Sequence, residues 1–344
     1  MDPHKEKYLN KIIKYGYKYY SNKCDKYLNK LLFHINEYDQ LVLHGGQKKT
    51  LFFIATHDNR LQCLLSRLFS ITNPHYNNLT KRLQNCAILK ISIIENALKI
   101  EMIYEGETTE NKQNFWTRTE FYKIHQTPRP LSDDRYSFLK IKDDTVLFFI
   151  RHGKGIHNMN MTTRKIMGAT DLVKKHIVGN YDKKHPLVDA ELDETGIIQA
   201  KNAGDSLLKY LNENMTGWQN QKLLFGCSKL YRTRQTIGTI MSRLFPNVST
   251  MDYQINVIPC SHEVATVEKT GKCIDTGFKN ELAYENKAVC NNKSDDNEKC
   301  KNIIIPLGDK KKLEIFVNWS EYINHQYDCI NDTIINIAYE IANK

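Results

Sequence analysis

The patterning of the chain predicts an α/β fold, a mostly parallel central sheet with helices on both faces, and three observations carry that reading. Apolar runs at 51–55, 146–150 and 223–227 each stop abruptly at a polar turn, THDN, RHGK and SKLY. A short apolar run without polar alternation is the pattern of a strand buried on both faces, as in parallel sheets. Helical spacing comes after each run: Leu61, Leu64, Leu65 and Leu68, then the stretch 192–211, then 232–244. Alternating strands and helices favour parallel crossovers, and in such sheets ligands gather at the carboxyl ends of the strands.

In chain order, residues 1–49 read as a helical N-terminal region. Leu9, Ile12, Ile13, Tyr17 and Tyr20, then Leu28, Leu31, Leu32 and Ile35, fall at helical spacing with a break near Asn22. The strand at 51–55 follows, with its helix behind. Residues 86–94 and 98–104 read as a hairpin turning at 95–97. Residues 106–143 are polar, carry Pro128 and Pro130, and read as a linker or long excursion. The strand at 146–150 leads into RHGKGIHN, and 160–184 reads as loop and short helix. The helix over 192–211 starts near Asp193 or Thr195. A strand at 223–227, a helix at 232–244 and a short strand at 255–258 complete the alternation. Residues 268–302 are polar and read as an insertion, and 321–343 as a last helix.

Bulk properties narrow the function without naming it. The 344 residues suffice for one large domain or two ordinary ones. A net charge of +10 suits anionic partners. The lysines are scattered, and no zinc-finger, RNP or arginine-rich motif is present. A small phosphorylated molecule accounts for the charge as well as nucleic acid does, and a compositional bias toward Lys, Asn, Ile and Tyr would need no functional reading. Nine cysteines show no CxxC pair, which predicts reduced, structural thiols and a cytosol-like compartment. Cys290 and Cys300 flank the run NNKSDDNEK, where an oxidising setting would let them bridge. No apolar run is long enough to span a membrane. Oligomeric state has no signature.

The stretch VLFFIRHGKGIHN, residues 146–158, is the centre of the chemistry. Arg151 offers a fixed, permanently charged fork for phosphate oxygens. His152 is a nitrogen nucleophile that can be uncharged near neutral pH. Gly153 lets the backbone turn sharply beneath a ligand. This stretch resembles the RHGxxxHN motif of the histidine phosphatase (phosphoglycerate mutase-like) superfamily. LDETGIIQA resembles that family's LTxxGxxQA, SKLYRTRQT its SxLxRTxQT, and IPCSHE the strand end that carries its acid. The four motifs come in the family's order over roughly 144–265.

The resemblance implies roles. His152 is the nucleophile, Arg151 and Arg232 hold phosphate oxygens, Asn158 adds a hydrogen bond with His157 to orient it, and Glu263 is the proton donor, with Glu268 and Glu281 as nearby substitutes. The family's second histidine, on a late strand reading VSHG, is missing where it is due: beyond Glu263 the only histidine is His325, which ends no apolar strand. Its counterpart lies early in the chain. LFFIATHDNRLQCLLSRLF, residues 51–69, resembles that final strand, histidine and helix, and makes His57 the second histidine. His44 is the rival, after a shorter run. Asp58 stands where the family has glycine, and an acid there would weaken anion binding.

The resemblance therefore implies a circularly permuted domain, with 50–105 and 144–344 as one composite unit. Extended, 106–143 would reach ~120 Å, ample to join the two parts. The activity implied is hydrolysis of a phosphomonoester through a phosphohistidine, without metal or cofactor. RHGKGIHN in place of RHGESxWN favours a phosphatase over a phosphoglycerate mutase-like phosphotransferase. A non-catalytic phosphate-binding or interaction module is the alternative. The discriminator is whether His57 and His152 face one anion, which needs their rings within ~10 Å.

Overall fold

A computed structural model describes residues 49–58, 61, 65, 81–95, 97–108, 113, 115–124, 129–130, 145–158, 166–167, 185–246, 253–258, 298–308 and 311–319. The fold is α/β. Among the described residues nine strands form one sheet: β1 (Thr50–Thr56), β2 (Ile88–Ile94), β3 (Ala97–Tyr104), β4 (Arg129–Pro130), β5 (Thr145–Arg151), β6 (Lys222–Cys227), β7 (Ile255–Val257), β8 (Asn302–Gly308) and β9 (Lys311–Asn318). Their order across the sheet is β4-β3-β2-β5-β1-β6-β7-β9-β8. The expected strands and hairpin are present, shifted by a residue or two at their ends.

The sheet is mixed where a mostly parallel one was expected. The five strands β5-β1-β6-β7-β9 are parallel neighbours. The flanks β2–β5, β2–β3, β3–β4 and β8–β9 pair antiparallel. A tight turn such as the one between β2 and β3 returns the chain beside itself in the opposite sense, so hairpin flanks can only be antiparallel. The first strand in sequence lies at the centre of the sheet. Phe53 on β1 faces Phe148 on β5 and Phe225 on β6. The rings stack at centroid distances of 4.8 and 5.2 Å. Burying three such rings contributes about 1.5–3 kcal/mol each, so the central register is strongly specified.

The alternation along β1 feeds two cores. Leu51, Phe53 and Ala55 pack with Ala200, Ala203 and Leu207 of α2 (Glu194–Asn214) and with Ile237, Ile240 and Met241 of α3 (Tyr231–Leu244). Phe52 and Ile54 pack on the other face with Leu61 and Leu65, which are helical, and with Phe121 of α1 (Arg118–Ile124). Asp193 caps α2, its Oδ1 accepting from the Gly196 N–H at 2.7 Å, which supplies one of the orphan donors of the helix end. Helical residues thus lie on both faces.

Two expectations are corrected. Residues 106–143 are not a bare linker. They contain α1 and β4, and Trp116 and Phe121 are buried. Thr117 and Glu120 form a reciprocal cap: Glu120 N–H donates to Thr117 Oγ1 (3.2 Å), and Thr117 N–H to the Glu120 carboxylate (3.2 Å). That closes the first turn of a short helix, which the buried Phe121 and, just before the helix, the buried Trp116 then anchor. The cysteines are not all reduced either, because Cys300 is disulfide-bonded; the thiol argument for a cytosol-like compartment falls with it. Cys86 and Cys227 are free and buried. The β8–β9 hairpin was not anticipated. Most of the N-terminal region, the helix at 321–343, most of the insertion, and His44 and His325 lie outside the described residues. Among the described residues no helix is long and apolar enough to cross a membrane.

Candidate active site

Parallel pairing carries β1 and β5 to the same edge with Thr56 opposite Arg151. The next residue of each strand is a histidine. His57 and His152 are both buried, with ring centroids 5.0 Å apart and the rings edge to face. His152 N–H donates to Thr56 O at 3.0 Å, extending the ladder one step beyond the strands. Two residues almost a hundred positions apart in the chain thus meet because their strands share a register.

The imidazole of His152 is held in one tautomer. Its Nδ1 lies 2.7 Å from Gly153 O. A carbonyl only accepts, so Nδ1 carries the proton and Nε2 presents its lone pair. Arg232, the second residue of α3, brings Nε to 3.4 Å from that Nε2. Burial holds His152 well below the ordinary histidine range, and the positive charges of Arg232, His57 and Arg151 push the same way, against the Gly153 bond. The ring is neutral at neutral pH. Cys227, at the end of β6, is no rival nucleophile: burial pushes its thiol up to about 12, so it stays protonated.

His57 is fixed from the β6 side. Thr233 donates its hydroxyl proton to Leu230 O at 2.7 Å. It then accepts from Ser228 Oγ at 2.9 Å, and Ser228 Oγ accepts from His57 Nε2 at 2.7 Å. With one proton per hydroxyl, this chain puts a proton on His57 Nε2.

The loop after β5 is clamped to both helices. Gly153 N–H donates to Thr236 Oγ1 (3.1 Å) and Lys154 N–H to Gln199 Oε1 (2.9 Å). Leu192 N–H donates to Gln235 Oε1 (2.8 Å). A Cβ on Gly153 would lie 2.6 Å from Gly196 O, so the loop and the start of α2 touch backbone to backbone. The glutamines, Thr236 and the two glycines of the motifs therefore hold the His152 loop in place.

Arg151 points to the opposite face of the sheet from Ile150. Its Nη1 donates to Leu83 O, and its Nε lies 3.9 Å from Asp58 Oδ1. Asp58 also accepts from Arg82 Nε at 2.5 Å. Asn158 is exposed, and its Oδ1 accepts from Gly155 N–H at 3.1 Å, closing the short 3₁₀ turn Ile156–Asn158. His157 comes nearer to His152, with ring centroids 6.1 Å apart. Glu263, Glu268 and Glu281 lie outside the described residues.

Of the residues singled out from sequence, His57, His152, Arg151 and Arg232 meet at one edge, and Asn158 serves the turn. Ser228, Thr233 and Thr236 lay unnoticed inside the SKLYRTRQT stretch. Arg82 had no signal beyond being a lone arginine in KRLQN. The group can do one kind of chemistry well: a neutral imidazole nitrogen beside guanidinium and imidazole donors favours an electrophile that carries anionic oxygens. No family model matches the chain, and neither the curated proteins nor the solved structures include a match.

Proposed function

We propose that the protein hydrolyses phosphomonoesters through a phosphohistidine, on a circularly permuted domain of the histidine phosphatase kind. One observation carries the reading: two buried histidines 5.0 Å apart at the ends of adjacent parallel strands, one of them with Arg232 on its lone-pair nitrogen. In this reading His152 Nε2 attacks phosphorus and the ester oxygen leaves on the opposite side. Arg151, Arg232 and His57 hold the remaining oxygens and offset the charge developing there. His57, whose Nε2 proton goes to Ser228, donates through Nδ1 as the imidazolium. Glu263 gives the leaving oxygen its proton. It lies five residues past Ile258, and Ile258 N–H donates to Cys227 O (2.8 Å) at the same sheet edge as the two histidines. Water then attacks the phosphohistidine, releasing phosphate and restoring the ring.

The test is hydrolysis of an aryl phosphate. His152→Ala is expected to abolish it, since among the described residues no other nucleophile is poised there. Arg232→Lys is expected to lose ~10²-fold in kcat although the charge is kept, because a lysine cannot reproduce the guanidinium fork. Activity of either variant within a few-fold of the parent would reject the mechanism.

A further inference from the structure

We propose that Arg82 is a substrate-recognition residue, selecting phosphomonoesters that carry a second anionic group close to the ester; the proposal rests on the hydrolase reading above. Four observations support it.

First, Arg82 is joined to the phosphate-holding side of the site. The Asp58 carboxylate takes Arg82 Nε at 2.5 Å on one oxygen and has Arg151 Nε 3.9 Å from the other. The next residue, Leu83, accepts from the Arg151 guanidinium through its carbonyl. Arg82 and Arg151 thus stand one carboxylate apart.

Second, the two arginines differ in access. The Arg151 side chain is 7% exposed and that of Arg82 40%. Arg151 is buried, and Arg82 reaches solvent.

Third, Arg82 has donors to spare. Nε is the nitrogen that Asp58 engages, and among the described residues the two Nη groups make no hydrogen bond. A pair of terminal guanidinium nitrogens is the fork that binds a carboxylate or phosphate bidentately.

Fourth, Arg82 is held from behind. Its carbonyl accepts from Trp116 N–H at 2.9 Å, and its guanidinium lies 5.9 Å from the centre of the Phe115 ring. Lys81 pairs with Glu120 at 2.5 Å. The segment 115–120, with the start of α1, therefore positions this arginine, and Asp58 turns it. The acid that the sequence suggested would weaken anion binding acts here as the bracket for an added cation.

The experiment compares 2-phosphoglycolate, which has a carboxylate near the ester, with ethyl phosphate, which has none. Both turnover and calorimetric binding are measured on the full chain. The wild type is expected to prefer phosphoglycolate. In Arg82→Gln, kcat/KM for phosphoglycolate is expected to fall about tenfold or more beyond any fall for ethyl phosphate, the size of one charged hydrogen-bonded pair. Arg82→Lys keeps a cation beside Asp58 and is expected to retain the fold, shown by its melting curve, while losing part of the preference. Equal effects on both ligands, or no preference in the wild type, would overturn the proposal. If the wild type binds both ligands without turnover, the hydrolase reading fails, and the ratio of the two Kd values in wild type and Arg82→Gln still decides the role of Arg82. If neither ligand binds, both readings fall.

Discussion

The proton on His152 Nδ1 belongs to a bond with Gly153 O, so the nitrogen left for chemistry is Nε2, the one Arg232 approaches. Burial and three neighbouring cations keep this ring neutral. That has a consequence for stability. Between the lowered folded value and the ordinary histidine value of about 6.5, the folded state binds fewer protons at this ring than the unfolded chain does. Stability therefore rises with pH across that window and is lost as pH falls below about 6.5, by up to about 1.4 kcal/mol per pH unit for one histidine. His152→Asn removes the titrating ring. Its urea-unfolding free energy is expected to fall less steeply between pH 7 and pH 5 than that of the wild type. Parallel profiles would mean that His152 titrates in the fold as it does in the unfolded chain.

At the scale of elements, the His152 loop depends on its contact with the start of α2. A Cβ on Gly196 would lie 2.0 Å from Lys154 O, against backbone that cannot swing aside. Gly196→Ala is expected to destabilise by about 1–3 kcal/mol and to lower turnover, because the loop must move. Gly217→Ala is the comparison. Gly217 has φ 69° and open space around it, so its cost is backbone strain of about 1 kcal/mol, far from the loop. Denaturant unfolding with aryl phosphate turnover separates the two; equal loss of turnover would refute the clamp.

The same scale shows what was legible in the sequence. The central strands announced themselves, because a strand buried on both faces must be apolar at every position. The helix α1 did not. Its signal is a Thr117–Glu120 cap and two buried aromatics in an otherwise polar stretch, too short for a period to emerge. The β8–β9 hairpin alternates Leu313, Ile315 and Val317 inward with Lys312, Glu314 and Phe316 outward. That period of two was readable, but it follows a long polar run that drew the eye to an insertion. Arg82 was illegible because its place is set by Asp58 and Phe115, which no local pattern links to it.

For the whole molecule, the decisive fact is that β1 lies between β5 and β6. A fragment of residues 144–344 would lose the strand that both neighbours pair with, leaving two apolar edges open in mid-sheet. It is expected to be insoluble or partly unfolded, and to regain solubility and activity when residues 1–143 are supplied as a separate chain. A soluble, folded 144–344 fragment would mean that the two parts are independent. The central proposal is that strands from both parts assemble one site around a nucleophilic His152. Its most direct measurement is rapid alkaline quench of the full-length protein during turnover, followed by mass spectrometry and ³¹P NMR of the trapped protein. The expected result is base-stable, acid-labile phosphate on His152 Nε2. Phosphate on another residue, on Nδ1 of His152, or no phosphoprotein at all during turnover would contradict it.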